Sequence, residues 1–252
     1  MHNRLAPYLL TIFSLVGLTI IQFQPQRLFV VGGILLFLVI GFFYLGSGQK
    51  IIQQYFWVML VPPLWLILSS ISLIIIAESE IFRWMLAVFT PFVLGFYLKQ
   101  IYIYNYNPEQ YQPYALENLS VSINIFVVFL AASSLFGLKL FLGLNLSVIW
   151  VIFFVVSLTL AYQTFWVHKL KLQQMIWWLI AVVALLMQLF VSMGFLPVQY
   201  IVSGLMVAIA FYLLIGLSRL VIRQAFRRRL VAQQIILSSV LTLIILITAR
   251  WI

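Results

Sequence analysis

The chain contains no cysteine, and its 252 residues carry only four acidic side chains, the glutamates Glu78, Glu80, Glu109 and Glu117. The first absence removes disulfides, thiol chemistry and cysteine-based metal sites, and with them any reading of redox compartment. The second is more restrictive. Charged residues make up 7% of the chain, against about a quarter in an ordinary soluble domain, so the polar surface is too small to cover a core in water. Histidine is also scarce: there are two, His2 and His168, and neither belongs to a His-x-x-x-His or Glu-His pair. A catalytic zinc wants three protein ligands, so no metal site is indicated. Nor is there a glycine-rich phosphate loop or a Gly-x-Ser-x-Gly elbow. The sequence therefore points to no catalytic residue and no cofactor.

What it has instead is apolar length. Hydrophobic residues form 65% of the chain, and the mean hydropathy is +1.19. They fall into nine runs of about 17 to 24 residues, the length that carries a helix across a hydrocarbon core of roughly 30 Å. A membrane β-barrel needs alternating strands of about ten residues, and runs such as "FVVGGILLFLVIGFF" at Phe29–Phe43 do not alternate. The expected fold is an all-α, polytopic transmembrane bundle of about nine helices. They are placed at Leu5–Ile21, Leu28–Leu45, Tyr55–Ala77, Trp84–Tyr104, Val121–Leu138, Leu146–Trp166, Met175–Met193, Tyr200–Leu217 and Ile235–Ile252. Arg4 precedes the first run as in a signal peptide, but "TIIQFQPQ" holds no small-x-small cleavage site, so that run reads as a retained helix. The fifth run continues through Lys139 to Leu144, and Lys139 is expected to snorkel to the interface.

The organisation is that of a single integral membrane domain over 1–252. Helices 1–4 fill 1–104, a loop 105–120, helices 5–8 121–217, a basic connector 218–234 and helix 9 235–252. Of the two orientations open to nine crossings, one puts Arg4, Lys50, Lys99, Lys169, Lys171 and five arginines on the side of the N-terminus, ten cations in all. The other side then receives four, Arg27, Arg83, Lys139 and Arg250. Lysine and arginine collect on the cytoplasmic side, so the N-terminus is expected inside and the C-terminus outside. Trp57, Trp84, Trp150, Trp166, Trp177, Trp178 and Trp251 lie near the predicted helix ends, where interfacial aromatics belong.

The five arginines stand together in "LSRLVIRQAFRRRLVAQQ" at Leu217–Gln234. Arg219, Arg223 and Arg227 are four apart and share one helical face; Arg228 and Arg229 follow. Such a segment anchors topology, and lying along the inner leaflet each arginine contributes about 1 kcal/mol of attraction to anionic lipid. Anionic lipid or a protein partner is the contact expected for these residues. Nucleic acid is not, because no aromatic-interleaved or folded nucleic-acid module accompanies the charge. The connector "NYNPEQYQPYALENLS" at Asn105–Ser120 is expected on the same side, non-helical through its first half, with Asn118 or Ser120 capping helix 5. It reads as an ordered linker on the membrane or as a docking or gating loop.

A 4+4 parallel repeat with one further C-terminal helix is suggested by shared words. "KIIQQYFW" at Lys50–Trp57 resembles "KLQQMIWW" at Lys171–Trp178, with "LVAQQIIL" at Leu230–Leu237 more distant, and Phe-Tyr-Leu recurs at Phe96 and Phe211. Two-halved transporters often have that arrangement; interfacial preference for Gln, Trp and Lys accounts for the same words.

Inside the predicted helices the polar residues are mild: Ser69, Ser70, Ser72, Thr90, Asn124, Ser133, Ser134, Gln163 and Gln188. They read as packing groups that bond a neighbouring helix or their own backbone. Pro62, Pro63 and Pro91 are expected to kink or interrupt helices 3 and 4. One stretch, "ESEIFRW" at Glu78–Trp84, resembles the Glu-Glu-x-x-x-Arg motif of the CAAX-type intramembrane endopeptidases through Glu78, Phe82 and Arg83. Ser79 replaces its second acid, and the family's later histidine motifs are missing, so the stretch reads as a solvated turn. The function expected is that of a non-catalytic membrane subunit or scaffold. A transporter or permease for an apolar or amphipathic solute comes next, and an intramembrane enzyme last.

Overall fold

The computed structural model of the chain describes residues 2–47, 54–170, 172–222 and 228–248. Among the described residues there are nine α-helices and no strand. They are α1 (His2–Phe23), α2 (Leu28–Gly46), α3 (Gln54–Ile76), α4 (Glu80–Tyr106), α5 (Ala115–Leu142), α6 (Leu146–Val167), α7 (Leu172–Met193), α8 (Tyr200–Ile222) and α9 (Arg228–Thr248). Each is long and apolar enough to cross a membrane. A helix is the form such runs must take, because hydrocarbon offers no partner for a backbone N–H or C=O left outside it. The chain is a polytopic integral membrane protein.

Most helices extend beyond their apolar runs. α4 starts at Glu80, where the Ser79 hydroxyl accepts from the Phe82 N–H and Glu80 occupies the first turn, a favourable place for an acid. α5 starts six residues before Val121 and ends four after Leu138. Asn118 and Ser120 therefore lie within the helix rather than capping it. The cap comes from outside: the Tyr111 hydroxyl accepts from the Leu116 N–H at 3.1 Å. At the other end Gly143 adopts φ +59°, the left-handed conformation glycine takes without steric penalty. Asn145 then accepts from the Ser147 N–H to open α6.

The expected interruptions at proline do not occur. Pro62 and Pro63 are buried within a continuous α3, and Pro91 within a continuous α4. Pro7 sits inside α1 in the same way. Neighbouring helices and hydroxyl side chains compensate the backbone groups that a proline frees in a membrane helix.

The chain divides into two compact units, residues 1–123 and 124–252, and the boundary falls inside α5. In the first unit α1 packs on α4 and α2, α2 on α3, and α3 on α4. Its core is built on Leu18, Val39, Phe43, Leu66, Leu94 and Tyr97. In the second, α6 packs on α7, α7 on α8, and α8 on α9. Three rings from three helices stack there: Phe190 of α7 lies 4.4 Å from Phe136 of α5 and 4.0 Å from Phe153 of α6. α9 is different, with only 6% of its span buried; Ser238 is its one buried residue among those described.

Adjacent helices in each unit thus pair in chain order. The repeated Phe-Tyr-Leu word does not mark equivalent environments, since Phe96 is exposed and Tyr97 buried, whereas Phe211 is buried and Tyr212 half-buried.

Candidate functional site

The chemistry open to an intramembrane protein depends on what its interior polar groups are doing, because each is costly in hydrocarbon. In the first unit Ser70 of α3 and Thr90 of α4 share a buried hydrogen bond of 2.9 Å. Tyr97 of α4, wholly buried, donates to the Met59 sulfur at 3.3 Å and lies 3.4 Å from the Ser120 hydroxyl. In the second unit Asn124 of α5 directs its amide nitrogen at three acceptors on α6: Gln163 Oε1 at 2.5 Å, Thr164 Oγ1 at 2.8 Å and the Leu160 carbonyl at 3.3 Å. Thr164 in turn donates to the Leu160 carbonyl, and Ser134 to that of Ala131. Gln188 is exposed, and its carbonyl accepts from Ser192. These groups bind one another or their own helices. The Ser70–Thr90 and Asn124 bonds are joints between helices, whereas the Ser133 hydroxyl and the Asn124 Oδ1 are buried with no hydrogen-bond partner among the described residues.

Close approach between helices is the second interior feature. A β-carbon on Gly204 of α8 would overlap Ser133 of α5, and one on Gly95 of α4 would overlap the Thr11 hydroxyl of α1. The sequence carried no signal for either pairing beyond the presence of glycine in an apolar run.

At one end of the first unit the Asn105–Ser120 connector is ordered rather than loose. A 3-10 turn at Pro108–Gln110 follows α4. Tyr55 stacks on Tyr104 at 6.1 Å, and Tyr104 meets Tyr111 edge-on at 5.1 Å. Tyr106 donates to the Leu45 carbonyl and Asn105 to that of Gly46, so the end of α2 is tied to the end of α4. Tyr111 donates to Glu117 at 2.9 Å. Partial burial, opposed by the Leu116 N–H and reinforced by the Glu117 carboxylate, pushes its phenol up to about 12.

The arginine stretch is divided between two helices. Arg219 lies half-buried in the last turn of α8, and Arg228 and Arg229 stand exposed in the first turn of α9. Arg223 and Arg227 lie outside the described residues. The connector is therefore shorter than 218–234, because arginine is a good helix former and its long stem lets a helix continue past the hydrocarbon while the charge stays wet.

In "ESEIFRW", Glu78, Ser79 and Glu80 are exposed, and Arg83 folds back to donate to the Ala77 carbonyl at the end of α3. This is the geometry of a capped turn. Lys139, expected to snorkel, donates to the Gly194 carbonyl at 2.8 Å. Among the described residues no three His, Cys, Asp or Glu side chains come close enough to hold a metal ion. Compared with known proteins, the chain matches no family model, no curated protein and no solved structure.

Proposed function

We propose that this protein is a non-catalytic membrane subunit or scaffold, oriented with its N-terminus and basic connectors in the cytoplasm. One observation carries the reading: in each unit buried polar side chains bond to one another across helices, Ser70 to Thr90 and Asn124 to Gln163 and Thr164. Groups used in this way fix helix positions. The surface of α9 supports it. Ile236, Val240, Leu243, Ile244 and Ile247 are exposed, a broad apolar arc for lipid or for a neighbouring membrane protein. The orientation rests on the ten-to-four division of lysine and arginine. On that side the three described arginines Arg219, Arg228 and Arg229, together with Arg223 and Arg227, meet anionic lipid or an acidic partner.

Purification from native membranes tests the role. Co-purifying soluble subunits support the scaffold, whereas a monodisperse protein that carries only lipid favours a permease for amphipathic solutes. Reporter fusions at Tyr106 and Arg227 test the orientation, which fails if either reports from the outer side.

A further inference from the structure

We infer that the groove between α1 and α4 is a binding site for one anionic phospholipid, its acyl chain in the groove and its phosphate against Lys99. The groove has a volume of about 460 Å³, within the range of built ligand pockets. Tyr8 and Ile12 of α1 and Phe92 and Phe96 of α4 form its walls, and all four are more than half exposed. Its floor exists because Gly95 has no side chain there. The only hydroxyl on that floor, Thr11, is turned back on its own helix and donates to the Pro7 carbonyl at 2.9 Å. The floor is therefore apolar in effect.

Register places the charge. Thr11 lies against Gly95, and Phe23 packs edge-on against Trp84 at 5.7 Å, so α1 and α4 run antiparallel. Lys99 follows Gly95 by one turn, toward the end of the pair where Arg4 stands, and both cations are exposed. From Lys99 back to Phe92 the groove runs about 10 Å along α4, at 1.5 Å per residue. One leaflet of a hydrocarbon core is about 15 Å deep. Lys99, whose long stem lets its charge reach toward the headgroups, with an apolar trough covering most of one leaflet below it, matches the shape and charge of a single anionic lipid. A small soluble anion would meet Lys99 and leave the trough unused. Among the acids, Glu78 and Glu80 lie at the opposite end of α4, Glu117 is engaged by Tyr111, and Glu109 stands exposed on the connector. None of these lines the groove.

The test is native mass spectrometry of the full chain released from nanodiscs of phosphatidylglycerol and phosphatidylcholine with identical acyl chains. Wild type is expected to retain one phosphatidylglycerol in preference. Lys99→Gln should reduce that preference about fivefold, the equivalent of about 1 kcal/mol per basic residue near the surface, and Lys99→Arg should keep it. Ile12→Trp, which fills the groove, should lower retention of both lipids, while Ile34→Trp on the exposed face of α2 should not. Equal retention of the two lipids by wild type overturns the proposal, as does an unchanged preference in Lys99→Gln or unchanged retention in Ile12→Trp. Displacement of the retained lipid by millimolar inorganic phosphate would also overturn it, in favour of a free-anion site.

Discussion

Gly204 of α8 lies so close to Ser133 of α5 that a β-carbon placed on it would stand 2.7 Å from the Ser133 backbone nitrogen and 2.9 Å from its Cα. Backbone cannot swing aside as a side-chain tip can. Without a hydrophobic drive between helices in lipid, such close packing is what holds them together.

Gly204→Ala should therefore destabilise the protein by about 1–3 kcal/mol, the usual cost of overpacking. Gly41→Ala is the matched control, since nothing lies within 4 Å of the β-carbon it adds. Thermal unfolding in detergent, followed by size-exclusion recovery, compares them. Equal midpoints for the two variants would show that the α5–α8 contact is not tight.

The Asn124–Gln163 bond should appear as a coupling between the two residues. A double-mutant cycle with Asn124→Ala and Gln163→Ala, measured by reversible unfolding, is expected to give about 0.6–1.7 kcal/mol, between the average and the maximum found for hydrogen bonds between membrane helices. Additive single effects would assign Asn124 to its other acceptors, Thr164 and the Leu160 carbonyl.

Tyr111 carries a pH dependence of definite sign. Its phenol stays neutral in the folded protein to about pH 12, whereas in an unfolded chain it ionises near pH 10. The stability it contributes is thus fully present below pH 10 and is lost as pH rises from there to about 12. Subtracting the ultraviolet titration of Tyr111→Phe from that of wild type should isolate one late phenol. A difference curve centred near pH 10 would place Tyr111 in open solvent.

The architecture was legible because length and hydrophobicity alone set it: among the described residues every apolar run of the sequence forms a helix. Its ends were not, and the reason is local chemistry. Ala115–Ser120 is polar enough to read as loop, yet the Tyr111 hydroxyl caps it and a helix results. The prolines of α3 and α4 read as kinks or breaks, and both helices continue through them, as a membrane helix packed by neighbours can. Asn124 and Gln163 were recognisable as interior polar groups, though nothing in sequence says that they meet, since 39 residues separate them. The groove was invisible altogether. It depends on Gly95 of α4 facing Thr11 of α1, a register that only the folded pair defines.

Lys139 and Arg83 close two different helices in the same manner. Lys139 binds the carbonyl of Gly194, the first residue after α7, and Arg83 that of Ala77, the first after α3. A helix end carries roughly half a negative elementary charge, so both cations are partly neutralised where they sit. These are two of the four that formal counting sets against the other ten. Arg4, Lys99, Arg228 and Arg229, by contrast, are exposed. A count of lysines and arginines therefore gives equal weight to cations of unequal reach, those that close a helix end and those exposed to solvent.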